Sequence, residues 1–391
     1  MPKVPNKLKF YHDIVRPCFS VWLPFFVAFC ITYPICLYHR IKRLIEKVLK
    51  PNDSSPSLLC LEAGVRGWEI IEYKELYQSA LEYMGEKRLV KLAVTDQTSY
   101  LSQLKKVLDE NYITHYGWSP RTGAQDNIRG LIEAFKISII FSSRGIVPIV
   151  FLTDILDRSW RKKTAIVTAA QGCVVTLNSP DGVKLLLPHK RFIGPYIMPF
   201  SLKTLEMLKE HKQPVVKEKS DNGAMVVGAL YEPRKTIVEN IDKILTENSK
   251  HRLIFQGRTL EGKRSSDEEY WANMFKAKIV VTTASVVNSL DGYDWAWKEH
   301  FIYRYMEALA CESLLIAPEL PAVERYFKSG EHFISFSSEQ DAAEKIQYYL
   351  DHDEERRKIA NQGFRRAQSL VQSRSFWLGI DIALSEVGLT R

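Results

Sequence analysis

Glu299 and Glu307 stand eight positions apart in EHFIYRYMEALACESLLIAPELPAVERYFKSG, the stretch from Glu299 to Gly330. On a helix that offset is a little over two turns. The composition then shifts from polar to apolar, ALAC followed by SLLIAP. This predicts a loop leading into a helix, a break near Glu312, and a short buried strand from Leu314 to Ala317 closed by Pro318. Carboxylates accept hydrogen bonds from paired hydroxyls, and a helix N-terminus offers N–H groups to phosphate. The segment therefore suits a ligand rich in hydroxyls.

Other chemically capable residues fall in strand-to-helix connections. Arg234 and Lys235 follow AMVVGALYEP and immediately precede a helical pattern. Two cations beside a helix N-terminus suit a departing diphosphate, or they are simply exposed charges of a helix start. Arg258, after LIFQG, is a second candidate, with Gly257 letting backbone approach a ligand. Arg304, one turn before Glu307, pairs either with a phosphate or with an acid. Gly64 and Gly67 in GVRG permit a tight turn and close approach of phosphate or sugar. Asp154, at the end of VPIVFLTD, is placed to orient or deprotonate an acceptor hydroxyl, or to cap the next helix. His115, read as a strand end, is given the same role. GxGxxG, HExxH and Cys/His clusters are absent, and Asp351-His352-Asp353 sits in a charged helical stretch, so neither cofactor nor metal is expected.

The elements that must hold these residues alternate. After the linker PNDSSPS come the strands SLLCLEAG, RLVKLAVTD, ITHYGW, VPIVFLTDI and CVVTLNSP, with helical EYKELYQSALEYMG, SYLSQLKKVLDEN and DNIRGLIEAFKISIIFSS between the earlier ones. A second series begins at AMVVGALY. Alternation of this kind implies parallel sheets with helical crossovers, and ligands there sit beyond the carboxyl ends of the strands. The expected divisions are residues 1–50, a membrane anchor with a basic amphipathic helix; 51–205, a first Rossmann-like domain; 206–371, a second; and 372–391, a helix crossing back to the first.

Pro17 to Tyr38 carries no charge and would reach about 33 Å as a helix, enough to cross a bilayer core of ~30 Å. Pro24 and Pro34 argue for a kinked or shallow arrangement, and Lys and Arg flank the run on both sides. The net charge of +8 points to an acidic partner. Nucleotide phosphate and an anionic membrane surface rank above nucleic acid, because the basic residues are dispersed and match no nucleic-acid-binding motif. The six cysteines form no CxxC pair and read as buried thiols of a reducing compartment.

The E-x7-E spacing, the phrase RYMEALAC, the continuation P-x-x-E-R-Y-F-x-x-G-E-H and the segment YYLDHDEERRKIANQGFRRA resemble the donor-binding half of GT-B glycosyltransferases. The nearest likeness is to the group 1 type of bacterial envelope biosynthesis, and it runs from about Ala224 to Ala367. The resemblance implies an α/β fold of two Rossmann-like domains facing across a cleft, with donor in the second and acceptor in the first. It implies that Glu299 contacts hydroxyls of the donor sugar and Glu307 the nucleotide ribose. It further implies basic residues in the loop of Arg234 and Lys235, a retaining reaction, and no bridging metal. Where the family has Gly after ALAC this chain has Glu312, a residue that adopts positive φ only at a cost. The combined expectation is a glycosyltransferase at the cytoplasmic face of the plasma membrane. It would take a nucleotide-sugar donor and a glycan or lipid-linked acceptor. The alternatives are an inert sugar- or nucleotide-binding scaffold and a glycosyltransferase acting on nucleic acid.

Overall fold

The computed structural model describes residues 16–49, 58–62, 71–94, 99–121, 128–152, 158–176, 191–194, 196–197, 199–215, 223–228, 234–256, 259–260, 263–264, 267–283, 302–386 and 388. The chain forms two compact units, Met1–Tyr196 with Phe376–Arg391, and Ile197–Ser375.

The first unit opens with one long helix, α1 (Arg16–Leu49), which continues through both Pro24 and Pro34. Then follow β1 (Leu59–Glu62), α2 (Ile71–Met84), β2 (Leu89–Leu92), α3 (Tyr100–Glu110), β3 (His115–Trp118), α4 (Ile128–Arg144), β4 (Val147–Leu152), α5 (Arg158–Val167), β5 (Cys173–Thr176) and β6 (Phe192–Ile193). The strands form one sheet in the order β2-β1-β3-β4-β5-β6, and every pair is parallel. β1, β3, β4 and β5 are buried throughout, as unbroken apolar runs such as VPIVFL require when helices cover both faces. α3 is fixed at its start by the N-cap Ser99, whose side chain accepts from Ser102 N.

The second unit contains α6 (Leu202–Val215), β7 (Ala224–Val227), α7 (Arg234–Asn248), β8 (Leu253–Gln256), the small antiparallel pair β9 (Thr259–Leu260) and β10 (Lys263–Arg264), α8 (Asp267–Lys276), β11 (Ile279–Val281), α9 (Arg304–Ala310), β12 (Leu314–Pro318), α10 (Pro321–Glu324), β13 (Ile334–Phe336), α11 (Glu339–Asp351) and α12 (Asp353–Gln372). Its parallel sheet runs β13-β12-β11-β7-β8. Counted in chain order, both sheets place the second strand beside the first and then the third, fourth and fifth on the other side. Strand order therefore reverses between β1 and β3 in one unit and between β7 and β11 in the other. Crevices at such reversals are where open α/β sheets hold ligands. The last helix, α13 (Ser375–Glu386), belongs mostly to the first unit, where Trp377 Nε1 donates to Ser79 Oγ at 3.0 Å and Tyr83 Oη to Asp381 at 2.8 Å.

The break near Glu312 is a Schellman turn closing α9. Ser313 N bonds Ala308 O, Glu312 N bonds Leu309 O, and Glu312 itself takes φ +54°. The left-handed geometry that favours glycine is thus kept with a glutamate in place, and Asn361 Nδ2 donates to its Oε1 at 2.9 Å. Left-handed backbone costs an L-residue about 1–2 kcal/mol, and one partly exposed hydrogen bond returns roughly half of that. Glu312→Gly is expected to raise stability by about 0.5–1 kcal/mol, or ~2 °C in Tm. A lower Tm would show that the Asn361 contact outweighs the backbone strain.

Candidate functional site

The carboxyl ends of β7 and β11 bring together Gly228, Thr282, Thr283, Arg234 and Arg304. Gly228 directly follows β7 and has φ +117°, which a side chain would strain. The absence of a side chain there also makes room for Arg304, since a Cβ on Gly228 would lie 2.8 Å from a guanidinium nitrogen of Arg304. Arg304 begins α9, and its Nη1 lies 3.0 Å from Glu307 Oε2, one turn on, in an ion pair whose side chains are only 13% and 3% exposed. The guanidinium also stands over the Tyr270 ring of α8, 5.3 Å from its centroid. One cation thereby ties the end of β7, helix α8 and helix α9 together. Arg234, the first residue of α7, turns its Nε toward Thr283 Oγ1 at 3.3 Å, beside β11.

The remaining candidates divide by position. Lys235 points along its own helix, where it pairs loosely with Glu239 at 3.8 Å. His115 corrects the reading from sequence: it is the first residue of β3, not its end. It therefore lies at the amino edge of the sheet, opposite the ligand edge, buried and bonded through Nδ1 to Thr114 Oγ1 at 3.0 Å. Strand pairing begins at His115, against Leu59 and Val147, and continues to Trp118. Glu299, Arg258, Asp154, Gly64 and Gly67 lie outside the described residues. Asp351 and Asp353 are engaged structurally, Asp351 with His251 Nε2 at 2.9 Å and Asp353 with Arg356 and Arg357. The hydrogen bond from His251 holds the Asp351 carboxyl below its usual range, and that from Arg356 does the same for Asp353.

Sequence reasoning missed Glu62. It ends β1 at the reversal point of the first sheet and is buried beneath the start of α3. Tyr100 Oη donates to its Oε1 at 2.5 Å and Tyr116 Oη at 2.9 Å, with the two phenol oxygens 3.3 Å apart. Burial, and then the Glu62 charge, push both phenols well above their usual pKa. The readable signal was a carboxylate closing an otherwise apolar strand, LCLE, since a buried charge must find donors. Just past the end of β3, the Tyr73 and Ser119 hydroxyls share a hydrogen bond.

Residues 230–374 match the model of the glycosyl transferase-like family. No curated protein matches the sequence. Among solved structures, the chain is similar to Anabaena Alr3699/HepE in complex with UDP and glucose, at 13% identity and a TM-score of 0.53 over 83% of this chain and 99% of that one. It is also similar to sucrose-phosphate synthase from Thermosynechococcus elongatus, at 12% identity and a TM-score of 0.51 over 83% and 98%. At these identities the likeness is one of fold, and that fold is GT-B. The family match spans every element from α7 to α12, including Arg234, Arg304 and Glu307. Residues 230–374 thus match a glycosyl transferase-like domain, within a chain whose two doubly wound units have the GT-B fold.

Proposed function

We propose that the carboxyl edge of the second sheet binds the diphosphate and ribose of a nucleotide-sugar donor. The reaction proposed is a retaining transfer, without a bridging metal, to a glycan or lipid-linked acceptor at the cytoplasmic face of the plasma membrane. The observation that carries this reading is the convergence of Gly228, Arg234 with Thr283, and the Arg304–Glu307 pair at the point where strand order reverses. Gly228 leaves room for the Arg304 guanidinium at this edge. Arg234 brings a cation to a helix N-terminus, where diphosphate charge is stabilised as it develops. Glu307 provides an acceptor for paired hydroxyls, oriented by Arg304. The E-x7-E resemblance supports the retaining outcome, and the uncharged N-terminal run supports the membrane setting.

Thermal shift against a panel of nucleotide sugars tests the site, beginning with UDP-glucose, which the Anabaena HepE structure contains. Product NMR then reports the anomeric configuration. Binding at a hundred times Kd raises stability by about 2.7 kcal/mol. Gly228→Ala meets both the strained φ and the Arg304 guanidinium, and is expected to weaken donor affinity by roughly 10- to 100-fold. Unchanged affinity in Gly228→Ala would remove this edge as the donor site. Donor binding without turnover on any acceptor would leave the inert scaffold as the reading.

A further inference from the structure

α1 is long and apolar enough over Val21–Lys42 to cross a membrane, yet one stripe of it is committed to protein. Val21, Ala28, Thr32 and Cys36, spaced by seven, four and four, are buried. The helix packs on α4 and α5 of the first unit, and Ala28 belongs to that unit's apolar core, with Phe25 and Phe29 against it. Cys36 Sγ donates to Gln171 Oε1 at 2.9 Å, and Gln171 Nε2 donates to Ile146 O at 2.7 Å. α5 beneath carries the buried cations Arg161 and Lys163. Lipid cannot surround α1 without either stripping it from this core or drawing α5 and its charges into hydrocarbon, which is costly.

The opposite face is open and apolar. Leu23, Phe26, Ile31, Leu37 and Ile41 are exposed, Phe26 by 60%. α4, packed beside α1, adds exposed Ile128, Ile132 and Ile139. Among the side chains described on these two helices, the exposed charged ones are all cations: Arg40, Lys42, Arg129, Lys136 and Arg144. Arg144 is tied to Asp109 of α3 and Glu133 of α4 is half-buried, so the face is rimmed mainly by Arg40, Lys42, Arg129 and Lys136, which complement anionic headgroups over acyl chains.

We propose that the protein is monotopic: α1 lies in the plane of an anionic bilayer, its outward face and the α4 isoleucines about 5–10 Å deep, and does not cross it. The inference rests on the membrane setting proposed above and fixes its geometry. α1 spans about 51 Å of length, so lying flat it presents a far longer apolar contact than a crossing of ~30 Å requires. A soluble dimer would cover the apolar face equally well, but it would set cations against cations at the rim.

The test uses the full chain with vesicles of phosphatidylcholine alone or with phosphatidylglycerol. Binding is expected to be roughly tenfold or more stronger with the anionic lipid. Phe26→Asp with Leu37→Asp should reduce it at least ~10-fold, while Tm stays near that of the parent because both side chains are exposed. Topology is read from Lys3→Cys, in a chain also carrying Cys18→Ser and Cys30→Ser, reconstituted so that the body faces outward. Labelling by an impermeant maleimide from outside is the expected result. Protection until the vesicles are lysed would show a crossing helix and overturn the monotopic geometry while the membrane setting stands. Failure to bind either vesicle, with a dimer seen by light scattering, would overturn both.

Discussion

Arg304→Ala is expected to cost about 3–5 kcal/mol of stability, because it leaves the Glu307 carboxylate buried without its cation. The substitution also removes the charge over the Tyr270 ring, worth about 1 kcal/mol. A loss of donor binding in this variant alone would therefore be ambiguous. Arg304→Met with Glu307→Leu resolves it. Replacing both members of a buried pair by apolar side chains of similar size is commonly neutral or stabilising, so the double variant should recover most of the parent's Tm. If the pair serves the ligand, the refolded double variant still binds nucleotide sugar roughly 100-fold or more weakly. If the pair only clamps α9 to β7 and α8, affinity returns together with Tm. Urea denaturation and calorimetric titration on the three proteins decide between these outcomes.

The fold was legible because its strands are written as short apolar runs. LCLE, VPIVFL, CVVT, AMVV and LLIAP read as buried strands from sequence, and each is one. Helix α11 begins at Glu339 with Ser338 as its N-cap, a serine placed where a helix start needs one. α5 was not legible. Its sequence RSWRKKTAIV starts with a string of polar and cationic residues, yet Arg161, Lys163 and Thr164 are buried and Lys163 Nζ donates to Pro120 O at 3.2 Å. A cation satisfied by a carbonyl distant in sequence leaves no trace in local periodicity. α8 was hidden for a related reason, with Tyr270, Trp271, Met274 and Phe275 buried behind an acidic start. At the candidate site the Arg304–Glu307 pair was readable as an i,i+3 spacing. Its closeness to Gly228 was not, since seventy-odd residues separate them and only the pairing of β7 with β11 brings the neighbourhoods together. The turn at Glu312 was readable only as a departure from the glycine that the family resemblance implies, and the structure shows its backbone in the left-handed region.

Raising the pH from ~8 to ~11 is expected to destabilise the first unit progressively, and the cause is the group assembled around Glu62. Tyr100 and Tyr116 donate to one carboxylate oxygen, and Cys60, two residues earlier on β1, is paired in register with Tyr116. Burial, followed by the Glu62 charge, pushes the Cys60 thiol up as it does both phenols. All three hold their protons more tightly folded than unfolded. Their contribution is thus intact below the unfolded pKa, about 8.5 for the thiol and about 10 for the phenols, and is lost as pH rises toward the folded values. A group that keeps its proton in the folded chain costs about 1.4 kcal/mol per pH unit above its unfolded pKa, so the thiol acts first and the phenols steepen the decline above pH ~10. Cys60→Ala should flatten the decline between pH ~8.5 and ~10, and Tyr100→Phe should halve what the phenols add above ~10. Urea midpoints followed by near-ultraviolet circular dichroism give both slopes, and tyrosinate absorbance dates the ionisation. Midpoints that stay level to pH ~11 would mean that Glu62 and the two phenols do not share one buried site.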